Sequence, residues 1–255
     1  MIENIKKYAV TKGFSLQDAL QVFMQVAVLK NLNLDGAYLV GGTSLVLRGG
    51  NPRFSEDIDL SGVADPKKLK PYIDRAATEL NAYLETEAKI VPPKEGKVTW
   101  KISCVALGQI VRLHIDSQPY KVLTRSPLMV EYPGIATFVF PSVKIEEVMA
   151  DKIVAIAFRN NLGGRDIFDI YYHWIKAGIE SLPEDEITAL VREKLKQRKL
   201  SRADFNRKIS ERFKDTPPQR VYDEWERYLP AAIKNKAFYK DMYENVRTGL
   251  AEFKL

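Results

Sequence analysis

Sulfur and imidazole are scarce in this chain. One cysteine, Cys104, in 255 residues excludes an internal disulfide and leaves a zinc site without a second thiolate, so it reads as a small core residue. Two histidines are present, His114 and His173, and no serine stands in a nucleophile-elbow pattern. A Ser-His-Asp hydrolase is thereby disfavoured. Long apolar runs are missing too: the longest, Ile153 to Phe158, is far too short to cross a bilayer. The opening residues MIENIKKYAV hold no apolar stretch of signal-peptide length. The expectation is a cytoplasmic protein with no membrane contact. Internal repeats and low-complexity segments are absent as well.

What is there is a basic, globular composition. Hydrophobic residues make up 45% of the chain, enough at this length for a real core and for two subdomains. A formal net charge of +6 and a pI near 9.1 favour a polyanionic partner. The excess is uneven: KQRKLSRADFNRKISERFK, from Lys196 to Lys214, carries eight Lys or Arg against two acidic residues. Such a run is either a solvated helical face or a track for an RNA backbone, with Arg198, Lys199, Arg207 and Lys208 as the candidate phosphate contacts.

The densest segment runs from Ala37 to Ser61, AYLVGGTSLVLRGGNPRFSEDIDLS. Tyr38, Leu39 and Val40 form an apolar entry to the turn Gly41-Gly42, and Thr43 and Ser44 open a short helix through Leu47. Glycine lets backbone approach a ligand closely, and the N–H groups of a helix start face an anion, so this turn suits phosphate. Downstream, Asp57 and Asp59 alternate with Ile58 and Leu60, which on a strand puts both carboxylates on one face. Two such carboxylates repel each other unless a hard divalent cation sits between them and an incoming triphosphate. Magnesium is the expected cation, with manganese as its substitute.

At these residues the chain resembles the nucleotidyltransferase superfamily with a DNA polymerase β type of palm, whose signature is Gly-Gly or Gly-Ser, a spacer and Asp-x-Asp. Three blocks in order, GGTSLVLRG, RFSEDIDLS and EEVMADKIVAIAFRNNLGGRDIFDIYY, resemble more narrowly the AbiEii/AbiGii toxin family, nucleotidyltransferases of toxin-antitoxin or phage-abortive systems. The resemblance implies a metal-binding pair at Asp57 and Asp59, a serine before it at Ser55, a lysine on a later helix at Lys152, and Asp169 in the RDxxD block beside Asp166. The wider superfamily takes a third carboxylate from a following strand, for which Asp116 in IVRLHIDS is the loosely matched candidate. It also implies an NTP substrate, an RNA acceptor with a tRNA 3′ end foremost, and a cognate antitoxin protein encoded next door.

Around these blocks the chain reads as α/β (α+β), a nucleotidyltransferase palm with a mixed, twisted sheet over residues 1–140 and a helical domain over 141–255 that completes the nucleotide site. Ser15 and Asp18 cap a helix from Leu16 to Leu32, and Asp65-Pro66 starts another that runs to about Lys89. Strands are expected over Lys97 to Leu107, Ile110 to Asp116 and Ala136 to Phe140. Ser142 is expected to cap a helix to about Arg159, with further helices over 165–177, 184–199, 201–213 and 231–252. Pro217-Pro218 reads as a turn.

Lys152 falls on the apolar stripe of Ile145, Met149 and Ile156, so either an anion meets its ammonium or the stem is buried and the charge snorkels to water. Replacing it by alanine is expected to cost more in transfer than in folding, because alanine favours helix and removes a charge from an apolar stripe. Arg159 shares its face, and Asp166 and Asp169 can pair with that face from the next helix. His114 flanks Asp116 on the same strand face and is a minor catalytic candidate, while His173, four residues after Asp169, could complete an Asp/His metal face but reads first as a solvated histidine. Arg48 and Arg53 could grip phosphate or pair with Glu56. Two other functions share these residues: transfer to a small molecule such as an antibiotic or metabolite, and a non-catalytic nucleotide or RNA binder.

Overall fold

A computed structural model of the chain describes residues 1–49, 51–175, 182–214, 216–229, 234–253 and 255. Helix α1 (Ile2–Lys12) buries only Ile5 and Ala9, too thin a stripe to be read from the sequence. Helix α2 (Leu16–Asn31) starts at the expected capping box: Ser15 Oγ accepts from the Asp18 N–H at 3.1 Å, and the Asp18 carboxylate accepts from the Ser15 N–H at 3.3 Å. Every residue from Ala19 to Leu29 is buried. A helix apolar all round belongs inside, and α2 forms the centre of the first unit's core.

The remaining elements of that unit are β1 (Tyr38–Val40), α3 (Gly41–Leu47), β2 (Ile58–Ser61), α4 (Lys70–Leu84), β3 (Lys89–Val91), β4 (Thr99–Ala106), β5 (Gln109–Gln118), β6 (Ser126–Tyr132) and β7 (Ala136–Ser142). Among the described residues seven strands form one sheet in the order β3-β4-β5-β2-β1-β7-β6. It is mixed, as expected: β2 runs parallel to β5 and β1 to β7, and the other pairs are antiparallel. Helix α2 lies against β5, β6 and β7, and α4 lies against α2 and β3.

Four boundaries depart from the sequence reading. Helix α4 stops at Leu84 rather than near Lys89, because Glu85 turns left-handed at φ 49 and Asn81 Oδ1 accepts from the Ala88 N–H at 2.7 Å, which frees β3 to pair with β4. Strand β6 goes unread because Pro127 breaks its pattern; the proline is tolerated because β6 is an edge strand. Ser142 does not cap a helix: it ends β7 and donates from Oγ to the Leu39 carbonyl at 2.8 Å. The following helix instead has Lys144 at its N-cap. Helix α3 begins at Gly41, two residues before Thr43.

The chain divides into two compact units, Met1–Val143 and Lys144–Leu255. The second holds α5 (Ile145–Phe158), α6 (Gly164–Ile170), α7 (Glu184–Gln197), α8 (Arg202–Arg212), α9 (Pro218–Trp225) and α10 (Lys236–Glu252). Helix α6 ends at Ile170 and passes into a π-helical turn, Tyr171–Ile175. The expected ends at 177 and 231 lie outside the described residues. Pro217-Pro218 starts α9 rather than a bare turn, since proline suits a first helical turn. Helix α5 is the unit's centre, packed on α6, α7 and α8. Two of its last carbonyls are satisfied by Arg212 of α8, whose guanidinium donates to Ile156 O at 3.1 Å and Ala157 O at 3.2 Å, and also to Asn160 O just past the helix at 3.0 Å.

Candidate active site

The alternation expected of the Asp-x-Asp segment is realised in β2. Ile58 and Leu60 are fully buried, while Asp57 and Asp59 keep partial exposure on the opposite face. Parallel pairing sets Asp59 beside Asp116, and antiparallel pairing sets Thr99 beside Asp116 from the other side. Register partners share a face at strand spacings of about 4.8 Å, so Thr99, Asp116 and Asp59 form one row across three strands. Thr99 Oγ1 donates to Asp116 Oδ1. His114, two residues back on β5, brings Nδ1 within 3.4 Å of Asp57 Oδ1. The sequence puts His114 on the Asp116 face; its approach to Asp57 is visible only in the strand register, which sets β5 beside β2.

The glycines have a more local task than the sequence suggests. Gly41 sits at φ +70, and a Cβ there would overlap the Asp59 carboxylate. A Cβ on Gly42 would overlap the Arg53 guanidinium and come 2.9 Å from Ser55 Oγ. Thr43, Ser44 and Ser55 are all buried. Ser44 Oγ donates to the Gly41 carbonyl at 2.7 Å, and Thr43 Oγ1 donates to the Asp57 carbonyl and lies 3.0 Å from Ser55 Oγ. These hydroxyls therefore hold the turn against the segment that leads into β2.

Two glutamines of α2, unremarked in the sequence because they sit in an apolar run, complete this brace. Gln21 Nε2 donates to Glu56 O at 2.7 Å and to Arg112 O at 2.6 Å, and Gln25 Nε2 donates to Ser55 O at 2.8 Å. Four residues apart, they share one helix face. The roles left open for the arginines are structural in part: Arg48 donates to Ser142 Oγ at 3.1 Å and to the Val143 carbonyl, and Arg53, 1% exposed, donates to Phe54 O at 2.7 Å.

In the helical unit Lys152 meets anions and does not snorkel. Its Nζ lies 2.6 Å from Asp169 Oδ2 and 3.0 Å from Asp166 Oδ1, all three side chains being buried. Arg159 reaches Asp166 from the same helix face, as the spacing predicts. Burial pushes the Asp166 carboxyl up, but Lys152 and Arg159 beside it outweigh that and hold it below its ordinary value. A second buried cluster ties α5 to α7: Lys194 Nζ lies 2.6 Å from Glu147 Oε1 and 3.0 Å from Asp151 Oδ2.

Part of the basic run is paired where it stands. Arg198 pairs with Asp151, Arg207 pairs with Asp204 at 3.1 Å and Glu211 at 3.0 Å, and Lys208 Nζ stands 5.2 Å from the Phe158 ring centroid. Lys199 follows α7 in a left-handed conformation at φ 54.

Among the described residues no three His, Cys, Asp or Glu groups converge to cage a metal ion. Magnesium does not require such a cage: it is held by one or two carboxylates and completes its shell with water and substrate phosphates. Asp57 and Asp59, hard oxygen donors on a partly exposed strand face, fit that mode.

A mixed sheet whose inner strand carries Asp-x-Asp beside a third carboxylate, reached through a Gly-Gly turn, defines a nucleotidyltransferase palm. Solved structures share the fold. A provisionally assigned nucleotidyltransferase from H. pylori aligns at TM-score 0.57 and 16% identity, over 94% of this chain and 96% of that one. JHP933 from Helicobacter pylori aligns at TM-score 0.54 and 16% identity, over 93% of each. None of the curated proteins matches this chain. The profile of the nucleotidyl transferase AbiEii toxin family, a type IV toxin-antitoxin system, matches residues 27–244, and the chain belongs to that family. Among the described residues no helix is long and apolar enough to cross a membrane.

Proposed function

We propose that this nucleotidyltransferase moves a nucleoside monophosphate from an NTP to RNA, with a tRNA 3′ end as acceptor, and acts as the toxin partner of an antitoxin encoded beside it. The added nucleotide spoils the tRNA for translation. The row formed by Asp59 and Asp116, with Asp57 two residues before it, is the observation that carries the reading. Magnesium bound at Asp57 and Asp59, or manganese in its place, would neutralise the triphosphate and orient it.

The acceptor's terminal hydroxyl oxygen attacks the α-phosphorus of the NTP. The bond from that phosphorus to its bridging oxygen breaks, and pyrophosphate leaves with the electron pair. Asp116, whose Oδ1 accepts from Thr99, would take the hydroxyl proton or hold a second metal ion beside Asp57 and Asp59. The backbone of Gly41 and Gly42, with Thr43, Ser44 and Ser55 bracing it, forms the phosphate cradle. The family blocks also assign Lys152 and Asp169 a part in transfer, and the buried pair between them holds the lysine's ammonium in place.

Incubation of the chain with labelled NTPs, Mg²⁺ and total RNA tests this. Label in the tRNA band supports it. Label in a small product makes the chain a small-molecule transferase, and no label anywhere leaves it a nucleotide or RNA binder.

A further inference from the structure

The sheet face that carries Asp57, Asp59 and Asp116 continues past them across β5, β4 and β3. Because register partners share a face, it can be followed row by row. The row after Asp59, Asp116 and Thr99 holds His114, Lys101 and Val91, and the next holds Arg112, Ser103 and Lys89. The row beyond holds Ile110 and Val105, which are 56% and 60% exposed. Lys89, Lys101 and Arg112 are exposed, and among the described residues none of their side chains enters an ion pair. No acidic residue of β3, β4 or β5 stands on the rows they occupy; Asp57, just ahead of β2, meets His114 at the end of the nearer one. The contrast with α8 is direct, since Arg207 there is bonded to Asp204 and Glu211.

We infer that this open sheet face, rather than the basic run around α8, is the track on which the acceptor's phosphate backbone lies. The inference rests on the RNA-transfer reading for its occupant, a single-stranded RNA end. Two residues along a strand span about 6.6 Å, so Lys101 stands one such step and Arg112 two steps from the carboxylate row. That places unpaired cations beside the nucleotides just behind the reacting hydroxyl. Ile110, Val105 and Val91 offer an aliphatic ledge between and beyond them for the flat faces of bases. Contacts of this kind position an RNA end without reading its sequence.

The test compares two sets of variants of the full chain: Lys89→Gln/Lys101→Gln/Arg112→Gln on the sheet and Arg207→Gln/Lys208→Gln on α8. A fluorescein-labelled single-stranded RNA oligonucleotide and a fluorescent ATP analogue are titrated against each, the RNA at several salt concentrations. The sheet variant is expected to bind RNA at least ten-fold more weakly than the parent. Its slope of log K against log salt should be shallower by about 2, since each single-strand phosphate contact contributes about 0.7. Its affinity for the ATP analogue should be unchanged, and the α8 variant should match the parent. RNA affinity that survives in the sheet variant overturns the track, and so does an equal fall in RNA and nucleotide affinity, which would mean a damaged fold. If the parent labels tRNA while the sheet variant binds RNA normally, the track alone is wrong. If the parent binds no RNA and labels only a small product, the track and the RNA-transfer reading fall together.

Discussion

Lys152 Nζ sits 2.6 Å from Asp169 Oδ2 where the two side chains are 8% and 0% exposed. The ammonium has a second carboxylate in Asp166 at 3.0 Å. Breaking a buried pair by removing one partner strands the other's charge, which costs far more than the pair itself contributes.

Lys152→Met is therefore expected to lower stability by about 3 to 5 kcal/mol. The expectation from helical periodicity is that the substitution spares the fold; two buried carboxylates on one ammonium argue for the opposite. The double variant Lys152→Met/Asp169→Asn should recover a large part of the loss, because it removes a stranded carboxylate along with its cation. Urea midpoints check both, and an unchanged midpoint for the single variant would show that the ammonium is not held.

Acid should reveal the same cluster. Asp166 has a lowered pKa in the folded chain, so its contribution to stability is present above its unfolded value, about 3.9, and is lost as pH falls through the lower folded value. Asp166→Asn should flatten the dependence of stability on pH below about 4, while the parent keeps its slope there. Melts recorded across that range decide it; identical slopes would remove Asp166 from the account.

Much of the palm is legible in the sequence, because its signals are local. The Ser15 capping box, the period-two alternation at Asp57 to Leu60 and the Gly41-Gly42 turn each lie within a few residues. What is hidden depends on register and tertiary placement. That Asp116 lies beside Asp59, that His114 reaches Asp57, and that Gln21 and Gln25 hold residues 55 and 56 all require strands and helices distant in sequence to be brought together. The basic run shows the same limit: counting charges along the chain cannot see that Arg198 and Arg207 have carboxylate partners.

Asp57→Asn or Asp59→Asn should abolish nucleotide transfer while leaving metal-free stability equal or higher, since each removes a metal ligand and relieves carboxylate repulsion. Transfer of labelled NMP and a thermal melt in chelator measure the two halves. A sharp drop in the melt for both variants would make the pair a structural feature instead.

Gly41→Ala tests whether the turn serves the carboxylate. Alanine at φ +70 costs about 1 to 2 kcal/mol in backbone strain alone. Gly108→Ala is the control, because Gly108 has φ +73 and nothing within 4 Å of a built Cβ, so it carries the strain without the contact. At Gly41 the methyl must also displace the Asp59 carboxylate, which shares a row with Asp116. A misplacement of about 1 Å at a reacting centre can cost on the order of 100-fold in rate. Gly41→Ala should thus lose transfer by roughly that factor, and Gly108→Ala should lose stability with its transfer rate intact. Equal transfer rates in the two variants would mean that the turn can give way without moving Asp59, and that the close approach of Gly41 to the carboxylate has no part in the chemistry.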